Sequence, residues 1–387
     1  MDGWGPHSKG EAWLNTQLPY LHATEGSVHS QSERKLYLAT MAKARSKKPP
    51  GVAPVPERAK AARKIAELFQ PGARIAITTH VNADGDGAGS EVGLWRLLTE
   101  YGVRAVITNP TPFPRRYRFL LDGIGGADKT AQAVRHLEKA DVVVVLDISD
   151  LGRLGHLGQR IVERGVPVAC IDHHLSNGDL PPGPRLVDAD ACATGELVYD
   201  FAKAVGWDLT TDVARALYVA ILTDTGGFRF SNTTSRTLRV AADLLDRGLE
   251  PEDIYREVYA SDPEGRVRLA GEVTNTLVVE PELGLAWVTV PPGALERYGL
   301  DAEHLEGVVE LPRSIEGVRL ALLFRGLANG RIKVSFRSMG SVDVAALAEQ
   351  FGGGGHKRAA GASLEGSLHE VQERVLEIAR TTLEETS

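Results

Sequence analysis

The sequence predicts an α/β fold in which a doubly wound, mainly parallel sheet is joined by a helical linker to a smaller mixed-sheet α/β domain. Three observations carry this prediction. Between residues 56 and 248, short apolar runs alternate with segments of helical periodicity. Several of those runs end abruptly in a carboxylate or a histidine, at the strand ends where ligands gather in open α/β sheets. Beyond residue 270 the texture changes to short strands, and 387 residues exceed one ordinary domain.

The elements follow in order. A helix begins at Pro56, with Ala62, Ile65, Ala66, Leu68 and Phe69 at helical spacing, and Pro71-Gly72 closes it. Residues 74–80 form the first strand, and the Gly-rich loop 81–90 leads into an amphipathic helix around Leu94, Trp95, Leu97 and Leu98. A second strand at 103–107 and a helix near 131–138 come next. The third strand, 141–147, is apolar throughout its interior and so is buried on both faces. The fourth, 166–171, ends in Asp172-His173-His174. Helices are expected at 193–202, at 211–222 running into Asp224, and at 237–245. Residues 250–270 are charged helical material that serves as the connection, followed by short strands at 276–279, 285–290, 319–324 and 331–336. A Gly-rich segment, 351–361, precedes a terminal amphipathic helix.

The organisation is therefore a disordered tail over 1–55, a main domain over 56–248, a linker over 249–270 and a second domain over 271–387. The net charge of -7 excludes a protein that coats nucleic acid through general basicity, while leaving room for a local basic groove. Cys170 and Cys192 are the only cysteines, too few for a disulfide framework or a thiolate zinc site, which fits a reducing, cytoplasmic location. No apolar run approaches the roughly 20 residues that span a bilayer, so no membrane partner is expected.

The polar groups at the strand ends form an inventory: His80, Asp84, Asp86, Asp147, Asp172, His173, His174 and Asp224. Each has a plainer explanation when taken alone. Asp84 and Asp86 are flanked by glycines and suit turns, Asp147 could cap a strand, and Asp224 could be the polar end of a helix. A helix C-terminus is a poor place for an anion, however, and a nearby cation removes that cost. So many converging carboxylates repel one another unless cations neutralise them. Carboxylates and imidazoles without thiolates suit divalent ions, with Mn²⁺ or Mg²⁺ favoured by the oxygen-rich balance. His80, Asp84 and Asp86 lie at i, i+4 and i+6 on one loop, where Gly85, Gly87 and Gly89 let the chain fold around ions. In the second domain, the four glycines at 352–355 can bring amides close to a phosphate. Arg337-Ser338 just upstream and His356, Lys357 and Arg358 directly after make the tract an anion clamp. For Lys357 and Arg358, clamp and solvated surface both remain open.

In order and setting, His80-Val81-Asn82-Ala83-Asp84-Gly85-Asp86, Leu146-Asp147, Asp172-His173-His174 and Thr223-Asp224-Thr225-Gly226 resemble the motifs of the DHH phosphoesterase superfamily. Gly352-Gly353-Gly354-Gly355-His356 resembles the signature of its DHH-associated C-terminal domain. The resemblance implies a catalytic domain over 56–248, a substrate-binding domain over 271–387, and two divalent cations, Mn²⁺ first with Mg²⁺ or Co²⁺ as alternatives. It places His80 and Asp84 on one ion, Asp86, His173 and Asp224 on the other, and Asp147 between them. His174 would face the substrate phosphate, supported by Asp172, and these two with Asp147 form the expected catalytic set. Arg337, Ser338, Gly353, Gly354, Gly355, His356 and Arg358 would bind substrate, with Arg337 and His356 facing the metal site across a cleft. Within the superfamily, the absence of an added OB-fold domain and of membrane segments points to the compact type that degrades RNA of two to five nucleotides and dephosphorylates 3′-phosphoadenosine 5′-phosphate. Its implied chemistry is two-metal attack of hydroxide on phosphorus. The expected partners are short RNA or DNA oligonucleotides and the bisphosphate nucleotide, and a homodimer is implied by resemblance alone. The alternatives are a phosphodiesterase for linear dinucleotides, a single-strand DNA exonuclease and a non-catalytic nucleotide-binding regulator.

Overall fold

A computed structural model describes residues 51–70, 72–124, 126–174, 180–305 and 307–385, with His356 described by its backbone only. Of the expected tail, all but residues 51–55 lies outside the described residues. The chain divides into two compact units between Leu249 and Glu250.

The first unit runs α1 (Pro56–Ala66), β1 (Arg74–Thr78), α2 (Gly85–Glu100), β2 (Arg104–Ile107), α3 (Ala133–Lys139), β3 (Val142–Leu146), α4 (His156–Arg164), β4 (Val168–Asp172), β5 (Arg185–Val187), α5 (Thr194–Val205), α6 (Thr211–Asp224) and α7 (Ser235–Leu245). Its sheet has the order β2-β1-β3-β4-β5, and every pairing is parallel. All five residues of β3 and of β4 are buried, as continuous apolar runs covered on both faces must be. On one face Val143, Val145 and Cys170 meet Leu137 of α3 and Leu157 and Ile161 of α4. α2 packs against α6 at very close range, because a Cβ on Gly89 would stand 2.5 Å from the Ala216 carbonyl and one on Gly93 would stand 2.6 Å from the Leu217 side chain.

That close packing corrects the role expected for the glycines. Helix α2 starts at Gly85, so Asp86, Gly87 and Gly89 sit in its first turns and not in a loop. A Cβ at Gly85 would collide with the Thr223 side chain at 2.3 Å. Gly85 and Gly89 thus admit helix α6, whereas a Cβ on Gly87 would stand 2.7 Å from Thr79 Oγ1 and 3.4 Å from Asp147 Oδ2, so Gly87 leaves room beside the acidic cluster. The helix α1 is tied down by Arg58, 4% exposed, whose guanidinium donates to Asp188 at 2.6 Å, Glu196 at 2.7 Å and Asp200 at 3.0 Å.

The second unit contains α8 (Pro251–Tyr259), α9 (Glu264–Thr274), β6 (Val278–Glu280), β7 (Leu285–Thr289), α10 (Ala294–Arg297), α11 (Glu310–Arg313), β8 (Leu320–Gly326), β9 (Ile332–Ser338), α12 (Val344–Glu349), β10 (Gly354–His356), β11 (Ala359–Leu364) and α13 (Leu368–Glu385). The segment expected as a linker thus consists of α8 and most of α9, and Leu269 and Val273 of α9 enter this unit's core. Its six-stranded sheet, β10-β11-β9-β8-β7-β6, is mixed: β7 and β8 are parallel and the other pairs antiparallel. The amphipathic α13 lays Val371, Val375, Ala379 and Leu383 on one face of it, together with Leu347 of α12. Among the described residues no helix is long and apolar enough to cross a membrane.

Candidate metal centre

The parallel topology sets β1, β3 and β4 side by side, so their carboxyl ends deliver side chains to one place. His80 lies two residues past β1, Asp147 directly follows β3, and Asp172 ends β4 with His173 and His174 next. From the helical side, Asp84 caps α2 by accepting from the amides of Asp86 at 3.0 Å and Gly87 at 3.1 Å. Asp224 ends α6.

Three groups of ligand atoms result, each within 4.8 Å: His80 with Asp84 and Asp147, Asp86 with His173 and Asp224, and Asp147 with His173 and His174. His80 Nε2 is 3.5 Å from Asp147 Oδ2 and 3.8 Å from Asp84 Oδ1. His173 Nε2 is 3.6 Å from Asp86 Oδ2, 3.7 Å from Asp147 Oδ1 and 3.6 Å from Asp224 Oδ2. These separations exceed hydrogen-bond lengths. Donor atoms about 2.1 Å from a shared ion stand roughly 3 to 3.5 Å apart, depending on the coordination angle. The structure brings His80, Asp84 and Asp147 together in one set and Asp86, His173 and Asp224 in another, with Asp147 close to His173 of the second.

The surroundings are built to aim these groups. Asp147 adopts φ 57°, a left-handed conformation uncommon outside glycine but more accessible to aspartate than to most residues. Thr194 Oγ1 donates to Asp147 Oδ1 at 3.0 Å. Asp86 accepts from the amides of Thr194 at 2.6 Å and Gly195 at 2.9 Å and from Ser90 Oγ at 3.0 Å, so it sits on the amino end of α5. Asn232 Nδ2 donates to Asp224 Oδ2 at 3.3 Å and to the Cys192 carbonyl at 2.9 Å. His174 donates to Asp172 Oδ1 from Nδ1 at 2.7 Å and from its amide at 3.2 Å. Thr194, Ser90 and Asn232 were not identified from the sequence. Only Thr194-Gly195, opening a helix directly after an apolar stretch, carries a local signal, that of a helix amino end.

The electrostatics test whether these residues suit cations. Burial, followed by the charges of Asp147, Asp224 and Asp84, pushes the Asp86 carboxyl well above its usual range. Burial, opposed by His173 and reinforced by Asp84 and Asp147, pushes Asp224 up to about 7. Burial works against a charged His80, but Asp147 and Asp84 outweigh it and raise the imidazole to about 10. Protons thus stand where positive charge is needed. His80 Nδ1 lies 2.9 Å from the Val81 carbonyl, a contact that directs Nε2 into the cluster, where this buried atom has no hydrogen-bond partner. A divalent cation satisfies that atom and displaces the protons, so the residues fit one.

In the second unit, the expected substrate residues fall into three kinds. Arg337, on β9, donates from Nε to Glu310 Oε1 at 3.2 Å and from Nη1 to the Phe336 carbonyl at 3.0 Å. Gly353, Gly354 and Gly355 belong to a strand hairpin and its approach, not to an open loop, because β10 pairs with β11. A Cβ at Gly353 would stand 2.2 Å from the Gly361 carbonyl, and one at Gly355, whose φ is 148°, would stand 2.5 Å from the Ala359 carbonyl, so close backbone approach demands glycine at both. Arg358 is exposed, whereas Ser338 is 1% exposed with its hydroxyl donating to the Val342 carbonyl at 2.8 Å. Ser338 therefore holds the turn after β9 instead of facing solvent.

A family model described as the DHH family, N-terminal domain, matches residues 74–221, and one for the DHHA1 domain matches residues 286–385. The bifunctional oligoribonuclease and PAP phosphatase NrnA of Thermus thermophilus is 35% identical over 343 residues, covering 86% of this chain and 98% of that protein. The protein of the same name from Bacillus subtilis is 32% identical over 296 residues, covering 75% of this chain and 89% of its own length. Among solved structures, an exopolyphosphatase-related protein from Bacteroides fragilis superposes with a TM-score of 0.76 at 27% identity, covering 84% of this chain and 98% of that one. With its strand-end motifs, its cation-shaped cluster and these relatives together, the chain belongs to the DHH family and carries a DHHA1 domain.

Proposed function

We propose that this protein is a divalent-cation-dependent phosphohydrolase that removes nucleotides from oligonucleotides of two to five residues and the 3′-phosphate from 3′-phosphoadenosine 5′-phosphate. The observation that carries the proposal is the pair of three-residue ligand sets, one of His80, Asp84 and Asp147 and one of Asp86, His173 and Asp224, with Asp147 Oδ1 3.7 Å from His173 Nε2. The activities in the names of the Thermus and Bacillus relatives support the choice of substrates. His80, Asp84 and Asp147 hold one cation and Asp86, His173 and Asp224 the other, Mn²⁺ ahead of Mg²⁺ or Co²⁺ on the oxygen-rich donor set. Such cations supply Lewis-acid polarisation of the phosphoryl oxygens and acidify the attacking water.

The chain's own groups do the remaining work. Asp172 fixes the His174 ring through Nδ1. Burial disfavours charge on that ring, but Asp172 and Asp147 raise its pKa above the ordinary histidine value. His174 donates a proton from Nε2 to the leaving oxygen. Arg337, with Nε and Nη1 already engaged, presents Nη2 to a substrate phosphate. A short substrate suits an acidic protein, because few phosphates are contacted and little counterion release is available.

The test is turnover by the purified chain, with and without Mn²⁺, on a panel of dinucleotides, RNA pentamer, long RNA, long single-stranded DNA and the bisphosphate nucleotide. Mn²⁺-dependent turnover of the short RNAs and the bisphosphate is expected. Fastest degradation of long DNA would assign the protein to another branch, and binding without any hydrolysis would make it a regulator.

A further inference from the structure

Helix α5 carries a buried ionic network that the proposed chemistry does not use. Arg58 of α1, already tied to Asp188, donates from Nη1 to Glu196 Oε1 at 2.7 Å and to Asp200 Oδ2 at 3.0 Å. Arg236 of α7 donates from Nε to the same Glu196 oxygen at 2.9 Å, from Nη2 to Asp200 Oδ1 and from Nη1 to the Ala53 carbonyl at 2.9 Å. Arg58, Glu196 and Asp200 are all buried. Taking such ions out of water is costly, and apolar residues of similar volume are often at least as stable in their place. Stability is therefore a weak account of the network. What the network does achieve is a fixed place for Glu196, because two planar guanidinium groups from different helices hold one of its oxygens.

The other oxygen, Oε2, accepts from the Cys192 amide at 3.1 Å. Burial opposes charge on Glu196, but the Cys192 amide and Arg58 outweigh it and hold the carboxyl below its usual range. The Cys192 amide opens the turn 192–195, and that turn reaches three of the candidate ligands. Its Thr194 and Gly195 amides donate to Asp86, and its Thr194 hydroxyl donates to Asp147. Its Cys192 carbonyl accepts from Asn232, which also donates to Asp224. A Cβ on Gly195 would stand 2.5 Å from the Ala220 Cβ, so the turn is pressed against α6, the helix that carries Asp224.

We propose that Glu196 is a positioning residue for the metal centre: clamped by Arg58 and Arg236, it fixes the turn 192–195 and through it the spacing of Asp86 and Asp224 from Asp147. The proposal rests on the two-cation reading of the preceding section and adds to it a chain of bonds from α1 and α7 to the ligands.

The experiment compares full-length wild type with E196Q, R236Q and D200N. E196Q offers one oxygen where the carboxylate uses two, so it can serve the arginines or the Cys192 amide but not both. D200N disturbs the same arginines from a buried residue of the same helix that makes no hydrogen bond to the turn. Mn²⁺ affinity is measured by isothermal titration, and the Tm of each metal-free protein by calorimetry. E196Q is expected to weaken Mn²⁺ binding about 10-fold, the lower end of the range for side chains that support metal ligands. R236Q should act in the same direction by less, and D200N should lower the Tm while keeping wild-type affinity. A merely structural network would instead make affinity follow Tm across the three variants. Because Glu196 acts through the turn, E196Q combined with T194V should lose less affinity than the product of the two single losses. Wild-type affinity in E196Q, an equal loss in D200N, or a double variant matching that product would overturn the positioning role. Should E196Q fail to fold, R236Q carries the test, and unchanged affinity there overturns the role. A wild type that binds no Mn²⁺ would overturn the two-cation reading and this role with it, whereas wild-type binding shared by E196Q overturns the role alone.

Discussion

The two units present functional groups in opposite ways. In the first, charged side chains are taken out of water: Asp86 is 1% exposed, Asp147 2% and His80 3%, and each is aimed by backbone amides, a hydroxyl or a backbone carbonyl. In the second, Arg325, Lys333, Arg337 and Arg358 remain exposed or half-exposed on a sheet face and its edge hairpin. The difference agrees with the ligand proposed for each. Divalent cations need a fixed, nearly dry donor set. Phosphates on a flexible strand are held adequately by solvated cations, whose attraction reaches through water and weakens with salt. The comparison therefore makes unequal predictions for similar substitutions in the two units.

The largest effect belongs to Asp147, which lies in one three-residue set and 3.7 Å from His173 of the other. Asp147→Asn keeps the shape and removes the charge, and is expected to lower kcat by at least about 10³-fold, consistent with the several kcal/mol that metal-ion charge stabilisation supplies. Isothermal titration with Mn²⁺ should show at least one binding event lost. Full activity in this variant would remove the first unit's cluster from the chemistry. Arg337→Gln comes next. Loss of one hydrogen bond to a charged phosphate corresponds to about 10- to 100-fold in kcat/KM. The loss should appear mainly in KM and diminish at high salt, which the Asp147 effect should not do. An effect of Arg337→Gln confined to kcat would erase the contrast between the units.

Legibility from sequence followed the same division. The strands of the parallel sheet were readable because burial on both faces leaves continuous apolar runs, as in 142–146. The strand-end candidate ligands were readable because charge directly after such a run is costly without a partner. Two things were not. β5 is three residues long and lies just after Pro181, Pro182 and Pro184, so no alternation could announce it. The hairpin of β10 and β11 carries no strand signal because glycine is a poor strand former, yet glycine is what lets these backbones approach. Ser338 likewise looked like a contact because it follows Arg337, but sequence adjacency on a strand sends the two side chains to opposite faces.

A smaller effect is expected at Thr194, whose hydroxyl reaches Asp147 at 3.0 Å. Thr194→Val preserves the shape and removes one hydrogen bond to a ligand, and supporting bonds of this kind are typically worth 10- to 100-fold in metal affinity. A loss of about 10-fold in Mn²⁺ affinity is expected, measured by titration, with little change in the Tm of the metal-free protein. Ser338→Ala in the second unit is the matched control. Its buried hydroxyl serves a turn, so the variant should lose about 1 kcal/mol of stability and keep its Mn²⁺ affinity.

The smallest effect concerns a buried acid that holds no ligand atom of the cluster. Glu91 of α2 is fully buried, accepts from Asn109 Nδ2 at 2.8 Å, and has a second oxygen without a partner. Burial, against the pull of Asn109, pushes its carboxyl well above the usual range. The folded chain then holds a proton that the unfolded chain releases above the ordinary glutamate pKa of about 4.3. Since the native state binds more protons over that interval, stability falls as pH rises from the unfolded value towards the folded one. Glu91→Gln removes this penalty and retains an oxygen for Asn109. Its Tm should equal the wild type's near pH 4 and exceed it at pH 8 by a few degrees, on the rule of about 2–4 °C per kcal/mol for domains of 150–250 residues. A Tm difference that did not change with pH would show that Glu91 is ionised in the folded protein, and that burial in the first unit is less complete than its sheet and helices imply.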